Sequence, residues 1–91
     1  MRIRWTPPAA ADLQSISNYL KVRQPEYRQP TMRKLYAKIR ASKDAPNVGR
    51  PGAVEGTREL LFSPMPYVAV YLAYGQTLEI WRIYHAAQNR P

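Results

Sequence analysis

The sequence predicts an α+β domain of the order β-α-α-β-β-β, with a helical hairpin packed on one face of a mostly antiparallel sheet. Residues 58–85 are rich in Tyr, Val, Ile, Leu, Phe and Trp. They are interrupted by Ser63-Pro64-Met65-Pro66 and by Tyr74-Gly75-Gln76-Thr77, which predicts three strands joined by two turns. Two apolar stripes with helical spacing and a short alternating segment precede them.

The first helix has a clear start signal. Arg2-Ile3-Arg4-Trp5 alternates basic and apolar residues, which indicates a short edge strand. Thr6 is a good N-cap, and Pro7 suits the first helical position. We expect the helix to run from about Pro7 to Arg23. Its core-facing stripe falls at positions i, i+4, i+7 and i+11: Ala9, Leu13, Ile16 and Leu20.

A second helix follows after Gln24-Pro25, which ends the first. Its apolar stripe is Met32, Leu35, Tyr36 and Ile39. Its start is open, because a proline at position 30 requires the helix either to begin there or to kink. The short connection predicts an antiparallel hairpin. Residues 45–57 then form a loop that crosses to the sheet.

The last two strands differ in pattern. In the segment from Tyr67 to Tyr74 the residues directed to both faces are apolar, as in a central strand. Its aromatic residues are interpreted mainly as core. Thr77 to His85 alternates, and a two-residue turn with Gly75 joins the two. Regular alternation places Leu78, Ile80, Arg82 and Tyr84 on one face and Glu79, Trp81, Ile83 and His85 on the other.

Composition indicates one small basic domain covering residues 1–91. The chain has 14 Lys and Arg against 6 Asp and Glu, for a net charge of +8. Eight of the basic residues lie between Lys21 and Lys43 with a single acid, Glu26. This excess favours an anionic partner, which could be nucleic acid, an acidic protein segment or a membrane surface.

Several classes of site are excluded by composition. There is no cysteine and only one histidine, so we expect no disulfide, no thiolate chemistry, no metal site and no cofactor. No apolar run resembles a signal peptide or a membrane span, which favours a cytoplasmic location and no membrane partner.

Three residues are candidates for catalysis. His85 is the single histidine and ends the last strand near Arg82, so it could act as a general acid or base while the arginine holds a phosphate. Arg58, at the start of the first of the three strands, could also contact phosphate. Strand parity opposes a joint site, because Arg82 and His85 point to opposite faces unless a bulge intervenes. The alternative is that all three are structural.

Three segments resemble the RelE/ParE superfamily of type II toxin–antitoxin toxins. They are Gly49-Arg50-Pro51-Gly52-Ala53-Val54-Glu55-Gly56-Thr57-Arg58-Glu59-Leu60, then Pro66-Tyr67-Val68-Ala69-Val70-Tyr71, then Ile80-Trp81-Arg82-Ile83-Tyr84-His85-Ala86-Ala87-Gln88. The opening helix, from Thr6 to Leu20, also matches. The resemblance covers nearly the whole chain and implies a growth-inhibiting toxin with a RelE/ParE-like fold, of the kind that serves plasmid stabilisation.

The resemblance also implies a partner. A cognate antitoxin would wrap the toxin with an acidic C-terminal segment, as an added strand and a helix. The contacts implied on this chain are Leu13, Ile16, Tyr19, Leu20, Arg33 and Arg40.

The superfamily divides by target. RelE-like members cut messenger RNA on the ribosome, whereas ParE-like members are described as inhibitors of DNA gyrase. RelE-like nucleases carry basic residues on the second and third strands, where this chain has Glu59, Leu61 and Val68. This difference weakens the nuclease hypothesis, and the overall pattern, including Arg58-Glu59-Leu60 and His85-Ala86-Ala87-Gln88, resembles the ParE branch more closely. A ribosome-dependent endoribonuclease using His85, Arg82 and Arg58 is the first alternative, and an inactive antitoxin-binding homologue is the second.

Overall fold

The computed structural model describes residues 1–87, which form two helices and five strands. In chain order the elements are β1 (Arg2–Trp5), α1 (Pro7–Arg23), α2 (Pro25–Ala41), β2 (Arg50–Pro51), β3 (Arg58–Leu61), β4 (Tyr67–Tyr74) and β5 (Thr77–His85). The predicted α+β class and the β-α-α-β-β-β order are confirmed. The two-residue strand β2 was not predicted, because it lies in a segment rich in glycine and proline.

The five strands form one sheet in the order β1-β5-β4-β3-β2. All neighbouring pairs are antiparallel except β1 and β5, which run parallel. The chain can make that parallel pair because the helical hairpin carries it across the sheet between β1 and the later strands. The predicted edge strand is thus a true edge, and β4 is the central strand.

The helices begin and end where local chemistry requires. The side chain of Thr6 accepts a hydrogen bond from the Ala9 amide, as expected of an N-cap. A single residue, Gln24, separates α1 from α2, so the two helices fold back on each other. The open question about α2 is resolved, since it begins at Pro25 and contains Pro30. Residues 21–30 are all exposed, so water can satisfy the carbonyl that Pro30 leaves without a donor.

The hydrophobic core lies between the hairpin and one face of the sheet. The hairpin contributes Leu13, Leu35 and Ile39, all buried. The sheet contributes residues that share one face by register: Leu60, Ala69, Tyr71, Leu78, Ile80 and Ile83. This contiguous cluster fixes the position of the helices, because most of the buried apolar area of the domain lies there.

A bulge in β5 changes the predicted alternation. Tyr71 pairs with Ile80 and Val70 with Arg82, so Trp81 is the extra residue. Ile83 therefore shares the buried face with Ile80, and the sequence-based assignment of Ile83 to the opposite face was wrong. The bulge precedes Arg82, so Arg82 and His85 still lie three residues apart on a regular stretch and face opposite sides of the sheet.

One buried tyrosine fastens the long loop to the sheet. The Tyr71 hydroxyl donates to the Pro46 carbonyl oxygen at 2.7 Å and accepts from the Gly49 amide at 3.0 Å. A Cβ on Gly49 would lie 2.8 Å from the Glu59 carbonyl oxygen and 2.9 Å from the Tyr71 ring. Glycine is therefore required at this close approach between the loop and β3.

Tyr71→Phe tests this anchor. The substitution leaves the buried Gly49 amide without its acceptor and the Pro46 carbonyl without its donor, so we expect the free energy of unfolding to fall by about 1–3 kcal/mol. Urea denaturation followed by circular dichroism measures the change. Tyr27→Phe, at an exposed tyrosine, is the matched control. Equal effects of the two substitutions would contradict the role of the Tyr71 hydroxyl.

Candidate functional site

The outer edge of β5 is closed by side chains from the start of α1. β1 ends opposite Ile80, so beyond that point β5 has no neighbouring strand on its outer side. The Thr6 hydroxyl donates to the Trp81 carbonyl oxygen at 2.9 Å, and a carboxylate oxygen of Asp12 accepts from the Ile83 amide at 2.9 Å. These bonds replace the missing strand and leave fewer ladder groups open for pairing with another chain.

Asp12 also holds Arg82. The guanidinium donates to both carboxylate oxygens, at 2.8 and 3.0 Å, in a bidentate pair. The hydrogen bonds to Asp12, together with its charge, raise the pKa of Arg82 above its already high value. The Arg82 side chain is half exposed, but its nitrogens are directed at α1. The arginine predicted to hold a phosphate thus forms an ion pair that joins helix to sheet.

The three catalytic candidates do not converge. His85 lies opposite Tyr67 on β4, whereas Arg58 lies opposite Tyr71, and four residues of β-strand span about 13 Å. Arg82 lies opposite Val70 and so belongs to the other face of the sheet. The structure therefore brings no two of these side chains to a common point.

Each of the other two candidates has local partners. The Arg58 guanidinium donates to the Gly49 carbonyl oxygen at 2.8 Å and lies 3.4 Å from that of Asn47, so it fastens the loop. The His85 ring packs edge-on against Tyr67 with centroids 5.9 Å apart, and its Nδ1 accepts from the Ala87 amide. Both side chains have structural roles at these positions.

The open face of the sheet, opposite the helices, has paired rather than clustered charges. By register it contains Glu59, Leu61 and Val68, the three positions at which RelE-like nucleases carry basic residues. Glu59 is buried, is paired with Arg50 at 3.0 Å and accepts a hydrogen bond from Tyr84. A buried carboxylate here opposes the accumulation of negative charge on a cleaved phosphate.

A second carboxylate organises the other end of that face. Glu79 is paired with Arg4 at 3.2 Å, and it accepts hydrogen bonds from the Trp81 indole and the Tyr74 hydroxyl. Two aromatic side chains are thereby held in place beside an acid. Tyr74 is 44% exposed, so the interpretation of the strand aromatics as core holds for Tyr71 but not for Tyr74.

A large groove lies between the helices and the ends of the strands. Its volume is about 940 Å³, and its walls include Ile16, Tyr19 and Leu20 of α1 together with Tyr67 and His85 of the sheet. Burial, followed by the charge of Tyr19, raises the pKa of Tyr67. We call this cavity the aromatic groove, and it brings His85 together with three of the residues predicted to bind an antitoxin.

A smaller cavity of about 420 Å³ lies on the other side of α1, beside β1. Leu13 lines it with Trp5, Tyr36 and Arg28. The Trp5 and Tyr36 rings meet edge to face at 6.0 Å, and Arg28 donates to the Ser17 hydroxyl. We call this cavity the edge pocket.

The residues predicted to bind an antitoxin differ in accessibility. Tyr19 is 58% exposed, and Arg33 and Arg40 are exposed on α2. Leu13 and Leu20 are buried, at 8% and 4% exposure, and contribute to the core while lining the two cavities. A partner that enters these cavities would meet only small parts of the two leucines, because the hairpin uses the rest to pack on the sheet.

Sequence reasoning missed the residue that joins α1 to β5. In the structure, Asp12 has Arg82 and the Ile83 amide as partners. The pairs are 70 and 71 residues apart in sequence, so no local pattern signals them. Tyr27, which lines the aromatic groove, precedes the apolar stripe recognised in the second helix and was also missed.

Within residues 1–87 no group of three or more His, Cys, Asp or Glu side chains could hold a metal ion. Neither of the helices in that range has the length and apolar character needed to cross a membrane.

Comparison with known proteins identifies the class. The family model described as "ParE toxin of type II toxin-antitoxin system, parDE" matches residues 3–90. The chain therefore belongs to the ParE toxin family of type II toxin–antitoxin systems. It is 32% identical over 90 residues to "Putative toxin Y4kP" of Sinorhizobium fredii (strain NGR234), a match that covers 99% of this chain and 93% of that protein.

A solved structure supports the same conclusion. A chain from the chromosomal ParDE toxin–antitoxin system of P. aeruginosa superposes with a TM-score of 0.82 at 30% identity, and the match covers 93% of this chain and 95% of that one. The resemblance to the superfamily, and to its ParE branch, is confirmed.

Substitution of Asp12 tests the junction between α1 and β5. Asp12→Ala removes the ion pair and leaves the Ile83 amide without an acceptor, so we expect a loss of about 1–3 kcal/mol in the free energy of unfolding. Arg82→Gln removes the ion pair but keeps the bond from the Ile83 amide to Asp12, so we expect a loss of less than about 1 kcal/mol. Chemical denaturation measures both changes. Equal losses would show that the bond to the Ile83 amide contributes nothing.

Proposed function

We propose that this ParE-type toxin inhibits DNA gyrase in the cytoplasm and is neutralised by a cognate antitoxin whose C-terminal segment wraps it. The proposal rests on one observation: the arginines that could have bound a phosphate lie apart, and each contacts other groups of the protein. Arg82 is paired with Asp12, and Arg58 is directed at loop carbonyls. Without gathered cations, little would stabilise a cleaved phosphate, so action by binding is favoured over nuclease activity.

The free edge of β1 fits an added strand of the antitoxin. The amides of Arg2 and Thr6 donate to carbonyl oxygens of Gln76 and Ile80, on the β5 side. Alternate residues of a strand present their backbone groups to opposite sides, so those of Ile3 and Trp5 face outward. Among residues 1–87 no strand lies on that side, which leaves a short edge open to β-augmentation.

The two cavities fit the apolar side chains of such a wrapping segment. The edge pocket adjoins β1 through Trp5, and the aromatic groove presents Ile16, Tyr19 and Tyr27. A helix that placed apolar anchors in the aromatic groove would cover His85 at the same time. Arg33 and Arg40 would receive acidic side chains of the antitoxin.

The alternative of a ribosome-dependent endoribonuclease rests on His85. The ring lies in the aromatic groove beside Tyr67, where a single-stranded substrate could stack. The further alternative, an inactive antitoxin-binding homologue, predicts harmless expression.

Induction of the toxin separates these functions. We expect DNA synthesis to fall before protein synthesis, messenger RNA to remain intact and the purified protein to block supercoiling by gyrase in vitro. His85→Ala should retain full toxicity, because the proposed action requires no general acid or base. Early loss of translation with cleaved messages would refute the gyrase proposal, and harmless expression of a folded protein would favour the inactive homologue.

Substitution in the aromatic groove tests the antitoxin site. Tyr19→Asp places a charge in the groove and repels an acidic segment, so we expect the affinity for the antitoxin to fall at least tenfold, which is about 1.4 kcal/mol. The antitoxin to be tested would be the product of a neighbouring small reading frame with an acidic C-terminal tail, and calorimetric titration would measure its affinity.

The matched control lies on the same helix. Val22 is 78% exposed and lines neither cavity, so Val22→Asp should leave the affinity within about twofold. Equal losses for the two variants would attribute the effect to net charge and would remove the groove from the proposal.

A further inference from the structure

The positive charge of the protein is concentrated on the helical hairpin. Residues 21–43 have eight basic side chains and one acid, whereas the rest of the chain has six basic and five acidic side chains. Among residues 1–87 the ion pairs are Arg4–Glu79, Arg50–Glu59 and Arg82–Asp12, each of which uses an arginine of the sheet. The cations of the hairpin therefore have no carboxylate partner in that range.

Some hairpin cations are engaged by other groups. Arg28 donates to Ser17, Lys38 donates to the Leu61 carbonyl oxygen, and Arg23 lies over the Tyr19 ring at 5.9 Å. A second set is exposed on the side of α2 that faces away from the core. This set, which we call the outer basic face, consists of Arg33, Lys34 and Arg40 together with the small residues Ala37 and Ala41.

The outer basic face itself has no large apolar side chain, so any partner, including an acidic antitoxin segment, would meet it mainly through charge. The exposed large apolar side chains of α2 are Tyr27 and Tyr36, which line the aromatic groove and the edge pocket. Tyr36 lies one helical turn from both Arg33 and Arg40, so the outer basic face borders the edge pocket on that side. The centres of protein interfaces are enriched in aromatic residues and depleted in lysine. Exposed Arg and Lys around alanines are instead suited to phosphates, which require charge and close approach without apolar contact.

We propose that the outer basic face of α2 binds the phosphodiester backbone of nucleic acid. Arg33 and Arg40 are seven residues apart, which places them about 10 Å apart along the helix. That length is about three times the 3.4 Å axial rise per charge of one DNA strand, so both arginines could reach phosphates of the same strand. Arg40 lies in the last turn of α2, where the helix dipole is negative, so the side-chain charges rather than the dipole provide the attraction.

This inference goes beyond the inhibition of gyrase and does not depend on it. Arg33 and Arg40 are also among the residues proposed to contact the antitoxin. An acidic antitoxin tail and a nucleic acid backbone would therefore compete for the same cations, and neutralisation of the toxin would release it from nucleic acid.

Fluorescence anisotropy with a labelled duplex of about 20 base pairs and scrambled sequence tests the proposal, over a series of NaCl concentrations. The wild-type chain should bind, with an affinity that falls steeply as salt rises. Arg33→Gln/Arg40→Gln should bind at least tenfold more weakly at low salt. Its slope of log K against log salt should be about two units shallower, because each phosphate contact contributes about one unit.

The matched control has the same net charge. Arg2→Gln/Arg4→Gln removes two exposed arginines of β1, so it should weaken binding no more than about twofold. Thermal melting of each variant by circular dichroism establishes that it is folded. Equal weakening by both double variants would overturn the proposal in favour of a net-charge effect, and so would the absence of wild-type binding at 50 mM NaCl.

Two further probes identify the source of the phosphates. A single-stranded RNA of the same length should bind through the same arginines if the backbone alone is recognised. Whichever of the DNA duplex and the RNA binds more tightly indicates the natural class of ligand. A polyglutamate peptide tests the alternative of an acidic protein. Binding of the peptide with no binding of either nucleic acid would overturn the proposal.

Discussion

The Asp12 carboxylate joins the helical hairpin to β5 at the point where that strand has no neighbour on its outer side. One oxygen receives both the Ile83 amide and the Arg82 guanidinium, and the other receives Arg82 alone. This contact holds the first turns of α1 against the end of β5, where Asp12 forms part of the wall of the aromatic groove. It also occupies an arginine that would otherwise be available to a substrate. One carboxylate therefore contributes both to the wall of the aromatic groove and to the chemistry of the strand end.

The protein separates its charges by layer. Three arginines of the sheet, Arg4, Arg50 and Arg82, are paired with largely buried acids, and two of these acids also hold the aromatic side chains of Trp81 and Tyr84. Residues 21–43 of the hairpin have a single acid, and most of their cations are exposed to solvent. Long-range attraction of an anionic partner therefore comes mainly from the helical layer, because opposite charges a few ångströms apart nearly cancel at a distance.

The aromatic groove joins the surface of α1 to the end of the sheet, and no sequence pattern predicts that these two regions meet. It brings Tyr19 of α1 close to Tyr67 and His85 at the end of the sheet, since the hairpin crosses that end. An antitoxin segment seated there would cover the single histidine whether or not that residue takes part in toxicity. Leu20 both contributes to the core and lines this groove, so the proposed partner site shares side chains with the core.

The sequence by itself determined the elements of this protein. Thr6 and Pro7 fixed the start of α1, Gln24-Pro25 fixed the boundary between the helices, and the apolar runs fixed the three later strands, because these signals are local. The tertiary structure decided everything that depends on distant partners. The bulge at Trp81 places Ile83 on the buried face of the sheet. Arg82, a candidate phosphate ligand in the sequence, is the partner of Asp12 in the fold. The physical reason is that the bulge arises from the pairing of β5 with β4 and the ion pair joins residues 70 positions apart, and neither has a period that a single sequence displays.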